Sequence, residues 1–375
     1  MIEILQRLIS FESITPKSSG AIEYIDDLLK SHGFKSEVKL FGPDNNKVTN
    51  LYASYGNDSP NICFAGHVDV VPPGNLGLWK SDPFTADINA GKIYGRGAVD
   101  MKGALAAALS ASIEYLKLKT KFKGTISFLL TSDEEGDAQY GTKQMLQYLN
   151  ERGEKIDLVI LGEPTAENQV GDTIKIGRRG SVNFNLEILG AAGHVAYPEL
   201  AQNPVKDIVN IIYTLINHKF DSGNEFFQPS NLEITSIDVG NNVTNVIPHS
   251  ATAKFNIRFN DLHSSETIIE YVKKLIDSFN IEYTLSYKSS ASSFIQKPDG
   301  YIEEFAKLVY EALVIKPKFS TSGGTSDARF IHQYFPVVEF GLPNKTAHAI
   351  NEYAEINDLQ RLYTMYYYCL GKFLG

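Results

Sequence analysis

Three apolar runs, NICFAGH, GTISFLLT and KIDLVILG, constrain this chain more than any other feature. Each reads as a strand buried on both faces. Helical stretches alternate with them, and the strongest is the alanine-rich MKGALAAALSASIEYLK. Apolar strands alternating with helices imply a mainly parallel sheet flanked by helices. In such sheets ligands gather outside the carboxyl ends of the strands. That is where metal-competent side chains follow each run: His67 and Asp69 after the first, Glu134 and Glu135 after the second, Glu163 after the third. Asp100 stands just before the alanine-rich helix.

At 375 residues the chain is long enough for two compact domains. Its hydrophobic content of 43% and charged content of 21% are those of an ordinary globular protein. Apolar runs long enough to cross a bilayer are absent, so no membrane association is expected. The N-terminal stretch MIEILQRLISFESITP carries Glu3 and Arg7 inside its apolar pattern and reads as an amphipathic helix, not a signal peptide. Cys63 and Cys369 lie far apart in a strand and a helix, as buried free thiols would. Together these features predict a cytoplasmic protein. A net charge of −9 and the lack of a basic stripe argue against a nucleic-acid partner. The glycines of GRGAVDMKG match no phosphate-loop pattern.

From about Gly180 the pattern changes. SVNFNLEILG, NPVKDIVNIIYTLINH, NLEITSIDV, SATAKFNIRFN, SSETIIEYVKKLIDSF and IEYTLSYK read in order as β-α-β-β-α-β. That is a ferredoxin-like α+β unit, expected over residues 181–290 as an insertion. Ser264 or Ser265 is placed to cap its second helix. The α/β pattern resumes over 291–375, so that 1–180 and 291–375 form one domain. FPVVEFGL in this last part is a strand, and His348 follows it in LPNKTAHAINE. The turn-like run TSGGTSDAR is rich in backbone amides that can hold a carboxylate. VPPGNLGLWKSDPFTADINAGKIYGRG reads as a loop over the site.

Taken singly, each signal has an ordinary alternative. His-x-Asp fits a core histidine beside a surface acid. Asp100 fits a carboxylate favoured at a helix N-terminus. Glu134 and Glu135 fit a solvated acidic turn. Taken together, His67, His348, Glu135, Glu163 and Asp100 supply one histidine and one carboxylate for each of two metals, plus a carboxylate to bridge them. Nitrogen and oxygen donors without thiolate suit zinc, with cobalt or manganese as substitutes. Two such ions, roughly 3.5–4 Å apart, can ionise a shared water near neutral pH. Alternation along the strand puts His67 and Asp69 on one face, so Asp69 can buttress the second imidazole nitrogen. Glu134 is left over as a general base for amide hydrolysis.

GHVDVVPPG, GRGAVDMKG, TSDEEG and GEPT resemble the metal and base motifs of the di-zinc amidohydrolase family of aminoacylases, acetylornithine deacetylase and related carboxypeptidases. The likeness covers essentially the whole chain. It implies an α/β catalytic domain with a mainly parallel mixed sheet, zinc-peptidase-like, and an inserted ferredoxin-like dimerisation and lid domain. By the same likeness, two Zn2+ per subunit are held by His67 and Glu163 and by Glu135 and His348. Asp100 bridges them, Asp69 orients His67, and Glu134 is the base. GRRGSVNF, TNVIPHSATAKFNIRF and TSGGTSDARF resemble the substrate motifs of the branch acting on N-succinyl-LL-2,6-diaminopimelate, in diaminopimelate and lysine biosynthesis. Carried over, Arg178, Ser181, Asn245, Arg258, Gly324, Thr325 and Asn344 hold the anionic small-molecule substrate. His194 stabilises the oxyanion from the partner subunit of a homodimer joined through the inserted domain. A chain at −9 needs local cations to bind such a substrate, and Arg178, Arg179 and Arg258 are candidates. Alternatives are a sibling N-acyl amino acid deacylase, a dipeptidase, or an inactive metal-binding homologue.

Overall fold

The computed structural model describes residues 1–119 and 121–375. These residues form two compact units. The first comprises Met1–Ile176, Gln296–Ser320 and Ser326–Gly375, and the second comprises Gly177–Ile295 and Thr321–Thr325.

The first unit is built on an eight-stranded sheet. Its order is Lys35–Phe41, Val48–Gly56, Thr125–Thr131, Asn61–His67, Leu158–Leu161, Val337–Glu339, Thr173–Lys175, Lys318–Ser320. The central strands, from Thr125–Thr131 to Val337–Glu339, run parallel to one another. At the Lys35 edge, Val48–Gly56 pairs antiparallel with Thr125–Thr131, and Lys35–Phe41 pairs antiparallel with Val48–Gly56. Every residue of the four central strands is buried, which is why the sequence shows unbroken apolar runs there and no alternation. The helix Lys102–Leu118 packs against Ile356–Leu374 and has almost no exposed face in its first three turns. Tyr366, on the closing helix, packs its ring, tilted by 57°, 5.0 Å from that of Phe64 and donates its hydroxyl to the Phe340 carbonyl at 2.6 Å. This contact joins two central strands to one helix. Cys63 and Cys369 are both free and buried, and burial pushes the Cys63 thiol up to about 12.

The stretch expected to be a loop over the site contains two short strands. Asp87–Asn89 and Lys92–Tyr94 pair with each other, and the latter pairs with Tyr353–Glu355. Strands of three residues carry no readable periodicity, and their partner lies far along the chain. No helix among the described residues is long and apolar enough to cross a membrane.

In the second unit the four-stranded sheet is ordered Asn231–Asp238, Ser250–Phe259, Gly180–Leu189, Tyr283–Ala291. All its pairings are antiparallel. That order and the helices Pro204–Ile216 and Ser265–Asp277 give the ferredoxin-like arrangement. Val182, Phe184, Leu186 and Ile188 alternate along the first strand into a core shared with Ile208, Ile211, Val272 and Ile276 of the helices. Ser264, not Ser265, caps the second helix, exchanging bonds with Thr267 in a capping box. The unit extends beyond 181–290 because Gly177–Arg178 pairs with Phe294–Ile295. Thr321–Thr325 packs with it too, since Thr321 donates to the Phe226 carbonyl at 2.6 Å.

Candidate metal centre

At the carboxyl ends of the central strands, the first unit gathers the residues that the sequence singles out. His67 is the last residue of its strand and is buried. Glu134 and Glu135 follow Thr125–Thr131, and Glu163 follows Leu158–Leu161 after one glycine. His348 lies in the segment after Val337–Glu339. Gly341 lets that segment pass tightly over the third strand end, because a Cβ there would run into the carbonyl oxygens of Gly162 and Glu163.

Asp100 sits between the two histidines. Its Oδ1 lies 3.3 Å from His67 Nε2, and its Oδ2 lies 3.2 Å from His348 Nε2. Glu163 Oε1 is 3.7 Å from His67 Nε2, and Glu135 Oε1 is 2.8 Å from His348 Nε2. One carboxylate thus faces two histidines, each with a carboxylate of its own. His67 Nε2, Asp100 Oδ1 and Glu163 Oε1 are buried and lack a hydrogen-bond partner among the described residues. Buried polar atoms are rarely left so. Three orphaned lone-pair atoms converging on one point are what an oxygen- and nitrogen-liganded cation would satisfy. Donor atoms of His67, Asp100 and Glu135 lie within 4.8 Å of one another, as do those of His67, Glu134 and Glu163.

Electrostatics point the same way. Burial pushes the Glu134 carboxyl well up, and Asp327, Glu135 and Asp100 add to the push. Glu163 is raised likewise, by burial first and then by Asp100 and Glu134. Burial alone would lower His67, but Asp100, Asp69, Glu163 and Glu134 together raise it well above its usual value. Asp100 and Glu135 raise His348 to about 10. Crowded carboxylates of this kind hold protons until a cation replaces them.

Asp69 behaves differently from its expected part. The strand stops at His67, so the alternation ends there. His67 Nδ1 meets the main-chain carbonyl of Asp69 at 2.8 Å, while the Asp69 carboxylate is 3.6 Å away. A carbonyl partner fixes Nδ1 as the protonated nitrogen and turns the Nε2 lone pair to the site. The Asp69 carboxylate instead accepts the amides of Glu134 and Glu135, at 3.3 and 3.0 Å. It holds the loop that carries both glutamates, and burial raises it to about 6.

Asn344 is exposed in the first unit, its main-chain N–H donating to the Ala166 carbonyl at 3.1 Å. The remaining substrate candidates belong to the second unit, in two groups. Ser181 faces Arg258 across the sheet, and Arg178 donates to the Ser322 and Gly324 carbonyls at 3.3 and 3.1 Å. Thr325 lies in the same segment as Gly324. Arg179 donates from Nη1 to Asn231 Oδ1 at 2.7 Å, and burial and the neighbouring Arg258 lower its pKa. His194 and Asn245 form the other group: His194 pairs with Val246, and Val195 donates to the Asn245 carbonyl at 3.1 Å. The strand Gly180–Leu189 separates the groups, about 26 Å from Ser181 to Leu189 at the usual strand rise. Asn245 therefore travels with His194 and not with Ser181 and Arg258.

Two buried groups beside the centre escaped the sequence reading, Arg96 and Glu352. Arg96 lies inside GRGAVDMKG, and Glu352 lies just after His348. Nothing in their spacing separates them from surface charges.

Residues 63–372 match the model of Peptidase family M20/M25/M40. A succinyl-diaminopimelate desuccinylase of Rickettsia bellii is 61% identical over 99% of this chain and 96% of its own. Among solved structures, the aminopeptidase PepT of Bacillus cereus matches with a TM-score of 0.79 and 20% identity, covering 98% of each chain. An M20 family metallo-carboxypeptidase of Sulfolobus solfataricus matches with a TM-score of 0.78 and 20% identity, over 98% of this chain and 97% of that one. At such identities these two structures speak for the fold alone.

Proposed function

Because the chain belongs to Peptidase family M20/M25/M40, we propose that it is a two-metal amidohydrolase that adds water across the amide of N-succinyl-LL-2,6-diaminopimelate, releasing succinate and LL-2,6-diaminopimelate. This places it in diaminopimelate and lysine biosynthesis. The observation that carries the substrate is the near-full-length likeness to a relative bearing that activity in its name.

His67 and Glu163 would hold one zinc ion, Glu135 and His348 the other, with Asp100 shared between them. Bound there, the ions supply Lewis-acid charge to the amide carbonyl and lower the pKa of water. Glu134 takes the proton of the attacking water and passes it to the departing amine. A carboxyl that is buried and crowded by Asp327, Glu135 and Asp100 holds a proton more readily than a solvated one, which suits both steps. Asp69 keeps the Glu134–Glu135 loop in place, and the Asp69 carbonyl keeps the His67 ring turned inward. The most direct test is hydrolysis of N-succinyl-LL-2,6-diaminopimelate by metal-free protein titrated with zinc. Activity should saturate near two ions per chain. Faster turnover of N-acetylornithine or a dipeptide would overturn the substrate.

The substrate carries three carboxylates and one ammonium, so bidentate guanidinium is its natural partner. Arg178, Arg258, Ser181, Gly324, Thr325 and Asn344 hold it in this reading. Arg258→Ala should lower kcat/KM by about 10- to 100-fold, the usual loss for a charged hydrogen bond, with metal content unchanged. An unaltered kcat/KM would remove Arg258 from the site. One chain sets His194 and Asn245 at the opposite end of a strand from Ser181. The reading therefore includes a homodimer in which a second chain's inserted unit supplies His194, as oxyanion donor, and Asn245.

A further inference from the structure

We propose that Glu352 and Arg96 are positioning residues that hold Asp100 and His348 in register, so that the metal on the Glu135–His348 side depends on them. This rests on the two-metal reading above.

Glu352 is wholly buried, and Arg96 is 2% exposed. One Glu352 oxygen accepts the amides of Val99 and Asp100, at 2.9 and 3.2 Å. The other accepts the Gly97 amide at 3.0 Å and Arg96 Nη1 at 2.7 Å. A single carboxylate thus fixes the backbone of the segment that ends on Asp100. Arg96 in turn donates to the carbonyls of Ala349 and His348, at 3.2 and 3.4 Å. Its second contact from Nη2 reaches Pro72, in the segment after His67 and Asp69. The ring of Trp79 covers the guanidinium at 5.3 Å.

His348 has a φ of +61°, a left-handed backbone that a residue with a Cβ adopts at a cost and keeps only where its surroundings enforce it. The carbonyl of that same residue is gripped by Arg96. The strained backbone aims the His348 ring at Asp100 and Glu135, and the Arg96 bond is what enforces it. Glu352 closes the circuit, because it sits on the His348 segment and holds the Asp100 segment.

A buried ion pair that only stabilised the fold would have no reason to end on the main chain of two ligands. Such a pair is weak evidence for stability in any case. Partners that orient metal-binding residues typically change affinity 10–100-fold when lost.

Glu352→Gln keeps the shape but turns an amide donor either toward Arg96 and the Gly97 amide or toward the amides of Val99 and Asp100. Arg96→Lys keeps the charge but cannot reach Glu352 and both carbonyls. Zinc titration of metal-free Arg96→Lys against a competing chelator should show the first ion bound much as in the wild type, whereas Glu352→Gln, which also frees the Asp100 backbone, should weaken both ions. Binding of the second ion to Arg96→Lys should be at least 10-fold weaker. The visible spectrum with cobalt should change for the second equivalent only in Arg96→Lys, and for both equivalents in Glu352→Gln. kcat at limiting zinc should fall with KM unchanged, and excess zinc should restore it in Arg96→Lys. A lower Tm with both affinities and the cobalt spectrum unchanged would mean a merely structural role and would overturn the inference. Should Glu352→Gln not fold, Arg96→Lys carries the same comparison. A wild type that binds fewer than two ions would overturn the two-metal reading, and this inference with it. Two ions in the wild type and two ions bound as tightly in both variants would overturn this inference alone.

Discussion

Glu134→Ala is expected to lower kcat by on the order of 10³-fold, within the range for loss of a general base, while two metal ions per chain stay bound. The argument turns on which carboxylates face the histidines. Glu135, Asp100 and Glu163 each lie within 4 Å of a histidine Nε2. Glu134 has no such pairing, yet its carboxyl sits in the same crowd and feels His67, Asp327 and Asp100. It could also complete a trio with His67 and Glu163. Metal analysis of dialysed protein separates the two roles. Two ions with no turnover make Glu134 the base, whereas loss of an ion makes it a ligand. Full activity would exclude both.

Asp100→Asn should weaken both ions, each by about 100-fold or more, exceeding the 10–100-fold typical of an outer partner. The reason is geometric: the two oxygens of Asp100 point to different histidines. An amide offers one neutral oxygen and a pair of N–H donors, so one side loses its ligand and both lose the charge. His348→Ala is the control, since its imidazole meets only the Glu135 side. Paired zinc titrations read the difference. If Asp100→Asn lost a single ion, Asp100 would belong to one metal and not to both.

Much of this centre is written in the sequence because burial on both faces leaves long apolar runs, and runs have visible ends. His67, Glu135 and Glu163 are found that way. His348 is legible for the same reason, although it lies far along the chain. The ferredoxin-like order is legible too, because alternating strands such as Gly180–Leu189 keep one face in a core and one outside. Short strands are not legible. Thr173–Lys175 and Lys318–Ser320 have too few residues for a period, and they exist through pairing with each other and, for the first, with Val337–Glu339. Asp69 meets His67 Nδ1 through its main-chain carbonyl, because the strand and its alternation end at His67. Arg96 and Glu352 left no trace, since a buried charge pair is spelled with the same letters as a surface one. Only their five backbone contacts with the Gly97–Asp100 and His348–Ala349 segments set them apart.

Trp79, which covers the Arg96 guanidinium, is the sole tryptophan of the chain. Its indole nitrogen is tied to the Pro73 carbonyl at 2.9 Å, so the ring belongs to the same loop that Arg96 reaches through Pro72. Emission excited at the red edge of the indole band therefore arises from one chromophore, seated where three chain segments meet beside the centre. Titration with zinc is expected to shift that emission as the site fills, and unchanged emission would separate the ring from the centre.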